Sequence, residues 1–196
     1  MKKLLLLSTV CVLLSTKSFS QGLMKKLSEK LEFGVKAGGN YSNFEGANFR
    51  VDPLAGFHAG VTVAFKVTDQ FLIQQEFLYS QQGAKVLSGP LDAAEIKLSY
   101  INVPVLLKYR TAIGLFVEAG PQVSLKMKEN VSGFENADFA KKIDFGLAGG
   151  LGFQSKIGLG IGARYIYGME KVMENPNAAL GEFKNNNIQA SIFYKF

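Results

Sequence analysis

Hydrophobic and polar residues alternate one for one along most of this chain. The clearest run is the last, where Ile188, Ala190, Ile192, Tyr194 and Phe196 interleave with Asn187, Gln189, Ser191, Phe193 and Lys195. A repeat of two sends each set to its own face of an extended strand. The same signal predicts eight strands, over residues 31–41, 54–66, 70–81, 95–109, 114–126, 143–154, 157–168 and 185–196. The intervening connections run 12, 3, 13, 4, 16, 2 and 16 residues, so long and short strictly alternate. Outer-membrane barrels have this pattern, with tight periplasmic turns, longer external loops and an even strand number. The expected fold is therefore all-β, an eight-stranded antiparallel up-and-down transmembrane β-barrel occupying residues 31–196. The final strand stops on Phe196, and aromatic rings settle at the membrane–water boundary.

A soluble eight-stranded barrel, apolar inside and polar outside, would show the same period. The second face of each strand separates the two. Phe145, Leu147, Leu151 and Phe153 oppose Asp144, Gly146, Ala148, Gly150, Gly152 and Gln154. Ile157, Leu159, Ile161, Tyr165 and Tyr167 oppose Gly158, Gly160, Gly162, Arg164 and Gly168. A water-facing strand surface would be dense in Lys, Glu and Thr. A face of glycine with a rare charge suits the narrow inside of an eight-stranded barrel, which side chains fill. The bulky face then meets lipid. Its aromatics are Phe33, Tyr41, Phe57, Phe65, Phe71, Phe77, Tyr79, Tyr109, Phe145, Phe153, Tyr165, Tyr167, Tyr194 and Phe196. With no Trp in the chain, Tyr and Phe must supply the interfacial girdles.

The inward set carries both charge signs. It comprises Glu32, Lys36, Asn40, His58, Lys66, Gln74, Glu76, Asn102, Lys108, Glu118, Gln122, Asp144, Arg164 and Gln189. Buried charges must pair. We expect a ladder in which Glu76, Glu118 and Asp144 meet Lys36, Lys108 and Arg164, filling and zipping the barrel. Pro104 falls mid-strand, cannot donate to the ladder of backbone hydrogen bonds, and predicts a bulge there.

Residues 1–20 read as a signal peptide: Lys2 and Lys3, the apolar run Leu4 to Leu14, and a small-x-small cleavage pattern at Ser18-Phe19-Ser20. The run is too short to span a bilayer as a helix, which argues against an uncleaved anchor. Cys11, the only cysteine, lies inside it. Val10 before it is not the small residue a lipoprotein needs. The mature chain then has no thiol for disulfides, metal ligation or nucleophilic attack. Cleavage removes Lys2, Lys3 and Lys17 and lowers the net charge from +6 to +3. No basic stripe with interleaved aromatics appears, so nucleic acid is not an expected partner. Residues 21–30, with Lys25, Lys26, Glu29 and Lys30, read as a periplasmic lead-in.

Several segments together resemble the small outer-membrane barrels common in Bacteroidota, the PorT-like family. They are Gly34-Val35-Lys36-Ala37-Gly38, the Glu76 to Lys85 stretch with Tyr79-Ser80 and Gly83, and Tyr100-Ile101-Asn102-Val103-Pro104. Val117-Glu118-Ala119-Gly120-Pro121, Asp144-Phe145-Gly146, Arg164-Tyr165 and Phe196 complete the set. The resemblance covers nearly all of the mature chain. It implies an outer-membrane location and no catalytic motif. One member is associated with secretion of proteases across the outer membrane, but fold-level likeness does not license a function.

Candidate chemistry is sparse, and no catalytic, cofactor-binding or metal-binding residue is assigned. Gly146-Leu147-Ala148-Gly149-Gly150-Leu151-Gly152 lacks the helix and the Lys-Ser/Thr of a nucleotide loop and keeps the strand alternation. His58 is the only histidine, and a lipid-modifying enzyme would need it paired with a serine at the lipid-facing surface. It is predicted to face inward. Glu135, Asp138 and Asp144 could hold a cation or simply be solvated. Asn40-Tyr41-Ser42 and Asn130-Val131-Ser132 match the glycosylation pattern by chance in a bacterial-type protein. The expected reading is a non-enzymatic, monomeric barrel with a structural or interaction role, accessory to protein secretion or envelope assembly. The alternative is an outer-membrane lipid-modifying enzyme. A pore is not expected, because side chains plug an eight-stranded lumen. Expected partners are outer-membrane lipid and other envelope or secretion proteins. Loops on a rigid scaffold are where such binding resides, and Phe44, Phe49, Phe134, Phe139, Met169, Met173 and Phe183 would be exposed there or packed over the barrel mouth.

Overall fold

The computed structural model describes residues 29–47, 50–88, 95–131, 140–172 and 181–196. The expected signal peptide and most of the lead-in lie outside them. Eight strands follow in order: β1 (Leu31–Ala47), β2 (Arg50–Lys66), β3 (Phe71–Ser88), β4 (Glu95–Arg110), β5 (Leu115–Val131), β6 (Ile143–Gln154), β7 (Leu159–Gly168) and β8 (Gly181–Lys195). Each hydrogen-bonds to the next, and β8 closes onto β1 antiparallel, Gly34 opposite Lys195 and Tyr41 opposite Ile188. No sheet edge remains, which is what a strand structure in lipid requires.

Short turns gather at one end. They are residues 67–70, 111–114 and 155–158, each four long. In two of them a glycine takes the left-handed backbone that a tight reversal needs, Gly114 at φ +95° and Gly158 at φ +89°. The other end differs from expectation. β1, β2, β3, β5 and β8 run well past their predicted ends, and the first long loop (residues 42–53) does not exist: only residues 48–49 join β1 to β2. Asn43, Gly46, Asp52 and Pro53 have weak strand propensity, which masks the strand in sequence. A break in the β1–β8 register between Glu45 and Ala47, with Gly46 at φ +88°, lets β1 keep pairing with β8 as far as Ala47 opposite Gly181. The remaining connections at that end are 6, 11 and 12 residues long.

The bulge expected at Pro104 is absent. Register is constant across it on both sides, from Leu78↔Asn102 to Gln75↔Val105 on β3 and from Pro104↔Gln122 to Leu107↔Ala119 on β5. The shift falls instead between Ser99 and Tyr100. Pro104 and Pro121 sit near each other across the β4–β5 ladder, Pro104 opposite Gln122, and the pairing keeps its spacing.

The facing assignment holds. Ile161 is 61 % exposed, Leu151 62 % and Phe33 52 %, whereas Glu76, Arg164 and Gln189 are buried inside. The inward glycines make room for rings. A Cβ at Gly152 would come within 2.5 Å of the Phe116 ring, and one at Gly160 within 2.3 Å of Phe193. Twelve of the fourteen outward aromatics fall into two girdles. Phe33, Phe71, Tyr109, Phe153, Tyr194 and Phe196 lie toward the short-turn end, with Phe71 5.0 Å from Tyr109 and Tyr194 5.4 Å from Phe196. Tyr41, Phe57, Tyr79, Phe145, Tyr165 and Tyr167 lie toward the other. Between them run aliphatics such as Leu147, Leu151, Ile161 and Ile192. Leu151→Arg should therefore destabilise the folded barrel by about 2–4 kcal/mol, the effect of a cation on the lipid face near the bilayer midplane. Urea unfolding in lipid vesicles measures it, and an unshifted midpoint would contradict the facing.

Candidate functional site in the barrel interior

The interior is layered along the barrel axis. At the short-turn end Arg110, at the close of β4, grips Glu32 of β1 through two bonds, Nη2 to Oε1 at 2.8 Å and Nη1 to Oε2 at 3.0 Å. Arg110 also donates to Gln154 Oε1 at 3.0 Å, and Lys66 Nζ lies 3.1 Å from Glu32 Oε1. One guanidinium thus ties β1, β4 and β6 together.

Above it lies the main ionic cluster. Arg164 of β7 reaches two carboxylates at once. Its Nη1 and Nη2 donate to Glu76 Oε2 and Oε1 at 2.7 and 2.9 Å, while Nε donates to Glu118 Oε1 at 3.0 Å. Lys36 Nζ approaches Glu76 Oε1 at 3.3 Å, and Lys108 Nζ approaches Glu118 Oε2 at 3.2 Å. Gln74 donates to Glu76 Oε1 at 2.6 Å, and Lys108 lies 3.8 Å above the Phe116 ring. Five strands (β1, β3, β4, β5 and β7) contribute to this one cluster. Each places an inward residue at the same depth because alternation and tilt repeat around the wall.

Five members of the expected ladder meet here: Glu76, Glu118, Lys36, Lys108 and Arg164. Asp144 does not. It stands at the start of β6 opposite Ser124, toward the long-loop end, and its Oδ1 has no hydrogen-bond partner among the described residues. Depth along a strand depends on register, which composition does not carry. Lys195 was on the inward face by alternation but was not expected in the cluster. It donates to Thr62 Oγ1 at 2.7 Å and lines the same small cavity as Lys36 and Lys108.

The next layer holds His58. Its Nδ1 lies 2.7 Å from Asn40 Oδ1 and its Nε2 2.9 Å from Ser191 Oγ. Asn40 in turn donates to Ser80 Oγ at 2.9 Å. An Asn–His–Ser line of this kind has the connectivity of a nucleophilic relay. The Ser191 hydroxyl, however, faces the lumen rather than the lipid, and His58 is 1 % exposed. Gly38 makes the layer fit: a Cβ there would come within 2.8 Å of His58 Cε1 and 2.0 Å of the Ala190 carbonyl. The geometry describes a satisfied interior histidine that joins β1, β2 and β8. Asn102, Gln122, Asn187 and Gln189 continue the polar interior toward the long-loop end, with several amide atoms lacking hydrogen-bond partners among the described residues.

The lumen then turns apolar. Phe44, Ala84, Val86, Ile96, Leu98, Tyr100, Val131, Ala140, Val172 and Phe183 form a buried core in the extended part of the barrel. Phe44 and Phe183 pack with ring centroids 4.6 Å apart. Of the apolar residues predicted for loops, these two are internal, Met169 is exposed, and Phe49, Phe134, Phe139 and Met173 lie outside the described residues. Backbone bonds tie the loops across this plug, Lys141 N to Val172 O at 2.7 Å and Val172 N to Phe183 O at 2.9 Å. Among the described residues no group of acids and histidines could hold a metal. Glu135 and Asp138 fall outside them.

Residues 19–174 match the model of the family described as outer membrane protein beta-barrel domain. The chain belongs to that family, and its place is the outer membrane. Among solved structures it is similar to Neisserial surface protein A (NspA), with 18 % identity over 84 % of this chain and 97 % of that one, at a TM-score of 0.56. It is likewise similar to OprG of Pseudomonas aeruginosa, with 16 % identity over 84 % of this chain and 95 % of that one, at a TM-score of 0.51. At these identities the likeness establishes the eight-stranded fold. No curated protein matches the sequence.

Proposed function

We propose that this protein is a non-enzymatic, monomeric outer-membrane barrel with an interaction role, an accessory to protein secretion or envelope assembly of the PorT-like kind. The observation that carries the proposal is the double closure of the lumen. An ionic cluster fills its middle, and the Phe44–Phe183 core fills its long-loop end. A sealed interior leaves the lipid belt and the two rims as working surfaces. The polar rim at the long-loop end, including Lys128, Asn130 and Glu170, is the expected meeting place for envelope or secretion proteins. The likeness to PorT-like segments in sequence supports the direction of this reading, and the inward His58–Ser191 pair disfavours the lipid-modifying alternative.

Photo-crosslinking in intact cells tests it. A photoreactive residue at Lys128 should yield one discrete protein adduct, and the same probe at Leu151 should yield lipid adducts only. Lipid adducts alone at both positions would reduce the role to a structural one. Acyl-hydrolase activity lost in His58→Ala would overturn the non-enzymatic reading.

A further inference from the structure

The ionic cluster is not balanced. Lys36, Lys108, Arg164 and Lys195 surround one small cavity, and Glu76 and Glu118 are the carboxylates that answer them. Arg164 pairs with both, Lys36 with Glu76 and Lys108 with Glu118. Lys195 pairs with neither. Its ammonium donates only to the Thr62 hydroxyl, and no carboxylate lies within ion-pair reach of it among the described residues. Lys195 is 6 % exposed and Lys108 2 %. Taking an uncompensated cation out of water costs several kcal/mol.

The cavity among these groups has a volume of about 10 Å³ and is lined by Thr62, Gln74, Ser191, the rings of Phe116 and Phe193 and the Glu118 carboxylate as well as the cations. That is the space of roughly one water-sized sphere. It is too small for a phosphate, a carboxylate or a sugar. A water molecule there would not change the charge. A monatomic anion would offset it, with ammonium groups on flexible stems and the side-chain amide of Gln74 as donors.

We propose that the lumen cavity between Lys36, Lys108 and Lys195 is a binding site for a single halide ion, which offsets one of the two excess positive charges of the cluster. The ion takes the place that one further carboxylate would fill in the cluster. It links β8, through Lys195, to β1 and β4 at the seam where the barrel closes.

The test uses the full barrel folded in detergent or vesicles. Unfolding by urea is followed while bromide replaces gluconate at constant ionic strength, so that screening stays fixed. A bound halide raises the folding equilibrium constant about tenfold for each tenfold rise in bromide above saturation. Lys195→Met should abolish that dependence. A bromide-exchanged crystal of the unaltered protein should show an anomalous peak in contact with Lys195 Nζ, which serves whether or not the variant folds. Identical midpoints in bromide and gluconate, or no anomalous peak in the cavity, would overturn the proposal.

Discussion

Arg164→Met should lower the stability of the folded barrel by about 3–5 kcal/mol, the typical effect of removing one partner from a buried ion pair. Arg164 is 3 % exposed and Glu76 0 %, so nothing replaces the lost hydrogen bonds. The variant leaves the oxygens of Glu76 and Glu118 facing each other without the fork that satisfied both, although Lys36 and Lys108 still approach one carboxylate each and Lys195 lines the same cavity. Urea unfolding, read as the shift between folded and unfolded gel mobility, measures the change. Adding Glu118→Gln to the variant should recover part of the loss, because it removes one of the two carboxylates left exposed to each other. An unchanged midpoint in Arg164→Met would show that the cluster fills space without holding the barrel. The distinction matters because a fully charged cluster is not an efficient way to gain stability. Apolar replacements of whole buried clusters are often neutral or better. Its use here is geometric: a fork that satisfies two carboxylates on different strands sets the relative register of the walls.

Phe183→Ala should cost about 3–5 kcal/mol as well, for a different reason: it deletes a buried ring and leaves a cavity. Phe183 and Phe44 are 1 % and 2 % exposed and touch across β8 and β1. Removing one ring strips contacts from the other, so Phe44→Ala and Phe183→Ala should not add. The double variant is expected to lose less than the sum of the singles, since residues in contact couple. A double-mutant cycle by urea unfolding gives the coupling. Additive losses would mean that the rings pack independently and that the extended end of the barrel is not a single core. The loops tied over this core, through Val172 and Phe183, should become protease-sensitive in the same variants while the short-turn end stays resistant.

Alternation alone determined a great deal of this protein. Eight strands, antiparallel order, the outward aromatics and the inward charges all follow from a period of two. So does the membrane location, once the glycine face of β6 and β7 is recognised as the crowded side. The inward glycines could be read that way because bulk is excluded where Phe116 and Phe193 need the room. Family membership agrees with this at the level of the barrel.

Tertiary structure decided what alternation leaves open, namely depth and strand length. Lys36, Glu76, Lys108, Glu118 and Arg164 come together because antiparallel register sets them at one level, Lys108 opposite Glu118 and Arg164 opposite Gln189 and Gly150. Asp144 shares their face but not their level. Phe44 and Phe183 looked like loop residues because Asn, Asp, Gly and Pro surround them, yet a break at Gly46 and pairing with β8 carry the sheet past that weak stretch. Local propensity is worth a fraction of a kcal/mol per residue. A closed ladder with a buried ring pair outweighs it, and only the assembled barrel contains both.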